Sequence, residues 1–366
     1  MPERSPDRQR LIVVFGGRSA EHEVSCTSAR HVLAAVDSDR YDVTAVGIRR
    51  DGTWVHALAA EAMLAGGPGP LPDRLDADGP DFELLPVLAA DHALAPVGAP
   101  PPVVFPVLHG PYGEDGTIQG LLEMADVPYV GTGVLGSALA MDKIKSKEIF
   151  DAHGIDQAAW RALHADERTS DTAAELVAAL GLPLFVKPAN MGSSVGVSRA
   201  VDVEAVAAAL DLAATYDEWI VIEEAVVGRE IECAVLGNRE PVASLPGEIR
   251  PGAEFYDYAD KYDDGAELMI PAPLDHHVVT DLQDLAVRAY AALRCEGLAR
   301  VDFFFDEAAG RLLVNEINTM PGFTPISMYP KMWAASGVSY PELIDRLVAL
   351  ALERHHRRSA HRRTDH

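Results

Sequence analysis

The sequence predicts a mixed architecture, a parallel α/β unit at the N-terminus followed by α+β units, on three observations. The stretches "LIVVFGG" (11–17), "SAEHEVSCTSARHVLAAV" (19–36) and "YDVTAVGI" (41–48) run strand, Gly turn, helix, strand, the order of a crossover in a parallel sheet. Beyond residue 138 the texture changes to short strands alternating with Ala-rich helical runs. Near the end, "ARVDFFFDEAAGRLLVNEINTMPG" (299–322) reads as two strands folded back at a turn containing Gly310.

The first helix has its apolar period at Val24, Ala29, Val32, Leu33 and Val36. Residues 57–101, rich in Ala, Pro and Gly, read as loops. "PVVFPVL" is a strand ending at the Gly-rich "HGPYGEDG", and "GTIQGLLEMADV" is the next helix. "SALAMDKIKSKEIFDAHG" (137–154) predicts one continuous helix stopped by Gly154. "LPLFVKP" and "GVSRAV" are strands, "DVEAVAAALDLAATY" a helix and "EWIVIEEAV" a strand. The last third carries the strands "REIECAVLG" and "EPVASLPGEI", a charged loop at 251–266 and a helix at 276–294. The expected division is 1–138, 139–228 and 229–356, followed by a basic, disordered tail at 357–366.

The 366 residues carry a net charge of −25, which argues against a nucleic-acid surface, since binding phosphate backbones needs concentrated Lys and Arg. Three scattered cysteines give neither a disulfide framework nor a zinc spacing and suit a reducing cytoplasm. The charged N-terminus lacks the apolar core of a signal peptide, and no run approaches the roughly 18 apolar residues of a membrane span. A cytoplasmic protein with neither membrane nor nucleic-acid partners is expected.

"KPANMGSSVGVS" (187–198) follows an apolar strand but lacks the Gly-Lys-Ser/Thr of a Walker A loop. By itself it is either a lid over phosphates or a turn between strands. Lys187 ends a buried-looking strand, and Lys143 sits in "MDKIKSK"; both are candidate triphosphate partners. Glu223 and Glu224 end "WIVIEE" and could accept from a nucleotide or simply cap the structure. In the hairpin, alternation puts Arg300 and Asp302 on one face, and Glu316 and Asn318 on one face of the partner strand. In a favourable register these oxygens would suit magnesium, which takes one or two carboxylates plus substrate phosphates. The alternative is a charged solvent face, weakened by the Val, Phe, Leu and Ile on either side.

Taken together, "VVFGGRSAEHEVS", "LHGPYGEDGTIQG", "MDKIKSK", "VKPANMGSSVGVS", "EFYDYADKY", "RVDFFF" and "NEINTMPGFTPISMYP" resemble the D-alanine–D-alanine ligase family of the ATP-grasp superfamily over nearly the whole chain. The resemblance implies an ATP-grasp fold behind an N-terminal α/β domain. It implies that Lys143 and Lys187 hold ATP phosphates beneath the loop containing Ser193 and Ser194. Glu223, Glu224, the backbone of Ala225 and Val226, and Glu230 would serve the nucleotide, with Lys261 beside it. Asp302, Glu316 and Asn318 would hold two magnesium ions, for which manganese could substitute, and a potassium ion is a further expectation. Glu21 would bind the ammonium of the first D-alanine, with His109 nearby, and Ser193 and Tyr262 would link to Glu21. Arg300 and the Gly322 N–H would stabilise an oxyanion, and Ser327 would hold the carboxylate of the second D-alanine. A homodimer is also implied.

The implied chemistry is ATP-dependent joining of two D-alanines through a D-alanyl phosphate, for peptidoglycan precursors. Lys261 and Tyr262 in "EFYDYADKYDDG" match dipeptide-forming relatives, where ester-forming ones carry a histidine-containing loop. His22 stands where several relatives have Arg and reads as a neighbour of the site. The competing readings are another ATP-grasp ligase, such as a D-alanine–D-lactate, D-alanine–D-serine or glutathione-synthetase-like enzyme, and a nucleotide-binding sensor without turnover. The sensor reading is opposed by the presence of Arg300, Asp302, Glu316 and Asn318 together.

Overall fold

Three sheets succeed one another along the chain in the computed structural model, which describes residues 8–58, 60, 75–82, 101–250 and 267–362. The first has the order β3-β2-β1-β4, from β1 (Gln9–Gly16), β2 (Tyr41–Ile48), β3 (Trp54–His56) and β4 (Val103–Val107). β1 runs parallel to both β2 and β4, and β3 returns antiparallel at the edge. Leu11, Val13 and Phe15 face helix α1 (His22–Ala35), while Ile12 and Val14 face α2 (Thr117–Met124). A strand covered on both faces needs an unbroken apolar run, which "LIVVF" supplies. The loops that leave the carboxyl ends of β1 and β4 carry Glu21 and His109, the edge where open α/β sheets present ligand sites.

The expected single helix over 137–154 is in fact two, α3 (Val134–Met141) and α4 (Lys143–Ala152). Asp142 separates them in an extended conformation (φ −81°, ψ 104°), its carboxylate accepting from the N–H groups of Ile144 and Lys145. A carboxylate competing for backbone donors favours a cap over a helix interior. The break places Lys143 at the first position of α4.

The second sheet, order β5-β8-β6-β7, is antiparallel and comprises β5 (Trp160–His164), β6 (Leu184–Pro188), β7 (Ser198–Ala200) and β8 (Trp219–Glu224). Leu184, Val186, Ile220 and Ile222 pack against α5 (Thr172–Leu180) and α6 (Val203–Ala213). Alternation therefore turns Lys187 and Glu223 to the opposite face.

The third sheet, order β12-β11-β9-β13-β14, contains β9 (Arg229–Gly237), β11 (Gly247–Arg250), β12 (Glu267–Met269), β13 (Gly297–Asp306) and β14 (Arg311–Asn318), with β10 (Val242–Ala243) paired to β9. Helix α7 (His276–Ala292) packs Leu282, Ala286 and Ala289 on one face, and α8 (Met328–Ala335) covers the other. α9 (Tyr340–Arg362) then crosses back to the first sheet, with Leu343, Ile344 and Leu347 joining its core. The disordered tail expected from 357 is corrected here, because α9 continues through Arg362. Arg357 pairs with Glu296 and Arg358 with Glu123, so this basic stretch has acidic partners on other elements. Residues 363–366 lie outside the described residues.

Candidate active site

Strand pairing sets the hairpin charges directly opposite one another. Asp302 pairs with Glu316 and Arg300 with Asn318, while β9 brings Glu232 to the other flank of Asp302. The register shifts after Asp302, leaving Asn315 as the extra residue of a bulge, a device that re-aims neighbouring side chains. Arg300 grips Asp302 with two parallel bonds, Nε to Oδ1 at 2.6 Å and Nη2 to Oδ2 at 2.7 Å, and lies 3.2 Å from Glu232 Oε1. Burial lowers the Arg300 proton affinity, but Asp302 and Glu232 outweigh it and hold the group cationic well above its ordinary range. Asn318 Nδ2 donates to Asp302 Oδ2 at 2.9 Å.

Facing the hairpin, Lys187 Nζ donates to Glu223 Oε2 at 2.5 Å, and Lys147 Nζ lies 2.7 Å from Glu223 Oε1. Lys147 is 2% exposed and Glu223 3%. Burial alone would raise the Glu223 carboxyl, yet the two ammonium groups overcome it and hold the pKa down at about 2. The Lys187 ammonium is opposed by burial but held up by Glu223, with Glu316 and Glu230 adding to the effect. Lys143 bridges the remaining parts: its Nζ donates to Met191 O in the Gly/Ser loop at 2.7 Å and lies 3.9 Å from Glu316 Oε2.

The Gly/Ser loop then reaches the first domain, where Ser193 Oγ donates to Glu21 Oε1. Ser193 and Ser194 hold φ of +49° and +58°, a strained conformation for residues other than glycine and one found at ligand clamps. Close approach explains two glycines here. A Cβ on Gly110 would meet Glu21 Oε2 at 2.6 Å, and one on Gly192 would meet it at 3.0 Å. At the far end, Gly322 lies against Ser327, whose hydroxyl would be 3.1 Å from a Cβ on the glycine. Ser327 precedes the N-terminus of α8 and also accepts from Thr324 N–H at 3.2 Å.

The structure thus brings together Glu21, Lys143, Lys187, Ser193, Glu223, Glu230, Arg300, Asp302, Glu316 and Asn318. It sets Glu224 apart: its carboxylate accepts from Ala159 N–H at 2.9 Å on the opposite face of β8, which corrects the expectation of a nucleotide ligand there. Ala225 N–H is taken by Pro183 O at 3.0 Å, so of its backbone only the carbonyl side could meet a nucleotide. His109 lies close enough to Glu21 to feel its charge, and both its ring nitrogens are engaged by protein, Nδ1 with Met320 O at 2.8 Å and Nε2 with Ser28 Oγ at 3.1 Å. His22 is a neighbour, bonded through Nδ1 to Gly17 O at 2.7 Å. Lys261, Tyr262 and the whole 251–266 loop lie outside the described residues. Sequence reasoning passed over Lys147 and Glu232. Their signals were present, Lys147 one helical turn after Lys143 and Glu232 two residues after Glu230 on a strand.

Magnesium can be tested against these donors. Asp302, Glu316 and the Asn318 amide supply hard oxygens on one face of a hairpin, which fits an ion that takes only one or two carboxylates and leaves its other positions to phosphates and water. Among the described residues no cluster of three or more His, Cys, Asp or Glu could cage an ion without such help.

Comparison with known proteins covers almost the full length. Residues 10–132 match the family model described as D-ala D-ala ligase N-terminus, and residues 149–349 the one described as D-ala D-ala ligase C-terminus. The D-alanine–D-alanine ligase of Deinococcus radiodurans is 48% identical over 351 residues, spanning 94% of this chain and 99% of that protein. That of Mycolicibacterium smegmatis is 47% identical over 371 residues, spanning 96% and 98%. Among solved structures, the D-alanine–D-alanine ligase of Coxiella burnetii is similar with a TM-score of 0.81 at 34% identity, covering 98% of this chain and 97% of that one. A D-Ala:D-Ser ligase of Enterococcus faecalis is similar with a TM-score of 0.77 at 32% identity, covering 94% and 99%.

Proposed function

The chain belongs to the D-alanine–D-alanine ligase family, and from that premise we propose how its own residues divide the work of the reaction. The activity is the ADP-forming ligation of two D-alanines to D-alanyl-D-alanine on an ATP-grasp fold, a step of peptidoglycan precursor synthesis. The observation that best supports the division is the position of Lys143, which touches the Gly/Ser loop at Met191 and the hairpin at Glu316. A phosphate chain entering between them would meet Lys143 and Lys187 at once.

A carboxylate is a poor acyl donor, so the γ-phosphoryl group passes from ATP to a carboxylate oxygen of the first D-alanine, releasing ADP. Phosphoryl transfer is mainly a matter of positioning and charge stabilisation, for which Lys143 and Lys187 are placed. Glu21 holds the ammonium of the first D-alanine, and Ser193 ties the loop to that carboxylate. The amine of the second D-alanine then attacks the acyl carbon, loses a proton, and phosphate leaves. The tetrahedral oxyanion needs donors, the roles of Arg300 and the Gly322 N–H. Ser327 and the N-terminus of α8 offer a hydroxyl and a positive dipole end to the second carboxylate. Asp302, Glu316 and Asn318 would hold magnesium, which when bound neutralises charge on the transferring phosphoryl group. Glu223, Glu230, and the Ala225 carbonyl and Val226 backbone would serve the adenosine end. Acyl phosphates hydrolyse, so closure of the Gly/Ser loop over the cleft excludes water.

Dipeptide formation over ester formation rests on Tyr262 in the 251–266 loop. Given ATP and a mixture of D-alanine and D-lactate near neutral pH, the enzyme should make mainly dipeptide; a majority of depsipeptide would overturn that preference. Phosphate release should require D-alanine, fail with L-alanine and stop on chelation of divalent metal. Absence of D-alanine-dependent release would remove the ligase assignment. A homodimer and a cytoplasmic location are part of the proposal on family resemblance. Among the described residues no helix is long and apolar enough to cross a membrane.

A further inference from the structure

The segment Met320–Phe323, which carries Gly322, belongs to the last third of the chain, yet its anchors come largely from the first. Met320 N–H donates to Glu114 Oε1 at 2.8 Å, and the other oxygen of Glu114 accepts from Gly110 N–H at 2.7 Å. Met320 C=O lies 2.8 Å from His109 Nδ1. A carbonyl can only accept, so Nδ1 carries the proton and Nε2 is the acceptor for the Ser28 hydroxyl at 3.1 Å. The Ser28 oxygen in turn accepts from Phe323 N–H at 3.4 Å, and Phe323 C=O accepts from Tyr340 at 2.6 Å. Burial lowers the His109 pKa more than nearby Glu21 raises it, which favours the neutral imidazole this directional chain requires. Ser28 and Phe323 are fully buried, His109 4% exposed and Met320 5%.

Both flanking residues are therefore fixed by N–H and C=O alike. Pro321 has no N–H to offer, and among the described residues Gly322 N–H has no protein acceptor. We propose that Ser28 and Glu114 are positioning residues for acyl transfer: Glu114 directly, and Ser28 both directly and through His109, clamp segment 320–323 so that the Gly322 N–H is held in place before any substrate arrives. The inference rests on the ligase reading for the role of that N–H, and it assigns the N-terminal α/β unit a part in the second chemical step. Preorganised donors are effective because they need no reorganisation as charge develops. Loss of one anchor leaves the donor present but mobile.

The test uses the full-length chain with Ser28→Ala and Glu114→Gln. Backbone amide exchange across residues 319–324 without ligand should quicken by about tenfold or more in each variant. At saturating D-alanine, kcat should fall roughly tenfold to a hundredfold, with the KM for ATP within about twofold of wild type. A purely structural role would instead raise the KM for ATP in step with the loss of kcat, and that result overturns the proposal, as do wild-type exchange and wild-type kcat in both variants. Should Glu114→Gln fail to fold, Ser28→Ala, which removes one oxygen, decides. A wild-type chain that exchanges slowly at 319–324 but releases no phosphate with D-alanine would remove the ligase reading while leaving the clamp standing.

Discussion

Lys187, Glu223 and Lys147 form a buried row in which a carboxylate sits between two ammonium groups, and Arg300 and Asp302 form a second, bidentate pair across the cleft. The charges of the site satisfy one another, because an unpaired buried charge is costly. Lys147→Met should destabilise the protein by about 3 kcal/mol, the cost of removing one partner of a buried pair. Glu223 has a folded-state pKa of about 2, below its ordinary 4.5. Its contribution is thus present above the unfolded pKa and lost as pH falls through the folded one. The stability gap between wild type and Lys147→Met, measured by urea unfolding, should be full above pH ~5 and close toward pH ~2. Ser193→Ala should keep the fold by circular dichroism and lose most D-alanine-dependent phosphate release, because the loop loses its tie to Glu21. Unchanged turnover in that variant would reduce the loop to a turn.

Among the elements, the break at Asp142 shows how one side chain can decide function at a distance. Apolar periodicity continues through 137–154, so pattern alone gave one helix; the carboxylate's two bonds to Ile144 and Lys145 N–H end it. Asp142→Ala should cost about 1 kcal/mol as a lost cap, and by letting the helices merge it should move Lys143 and raise the KM for ATP several-fold in steady-state assays. Loss of stability without a change in KM would separate the cap from the site. Hairpin chemistry was more legible. Strand alternation set Arg300 with Asp302 and Glu316 with Asn318, and the observed register pairs them face to face. The same alternation separates Glu223 from Glu224, a distinction the sequence contained in its period of two.

For the molecule as a whole, α9 fastens the end of the chain to its beginning. Arg354, 3% exposed, donates to the carbonyls of Tyr129 and Gly131 and stacks over the Tyr129 ring at 4.2 Å. Truncation after Glu353 would strand those two buried carbonyls and remove the pairs to Glu296 and Glu123, and should cost several kcal/mol, at about 1–3 kcal/mol for each unsatisfied group. Removal of 363–366 alone should change thermal stability by no more than about 0.5 kcal/mol. Equal melting temperatures for the two truncations would show that the α9 anchors contribute nothing.

The sequence by itself determined the type of nearly every described element, the alternation of the hairpin and the family to which its motifs belong. Those features are local, repeating every two or 3.6 residues within one segment. Tertiary structure decided which partner each charge takes. Ser193 meets Glu21, Glu114 meets Met320 and Ser28 meets Phe323 across 172, 206 and 295 residues of chain. No period links such positions. Their pairing follows from how three sheets close on one cleft, where most buried donors and acceptors pair, as both ring nitrogens of His109 do.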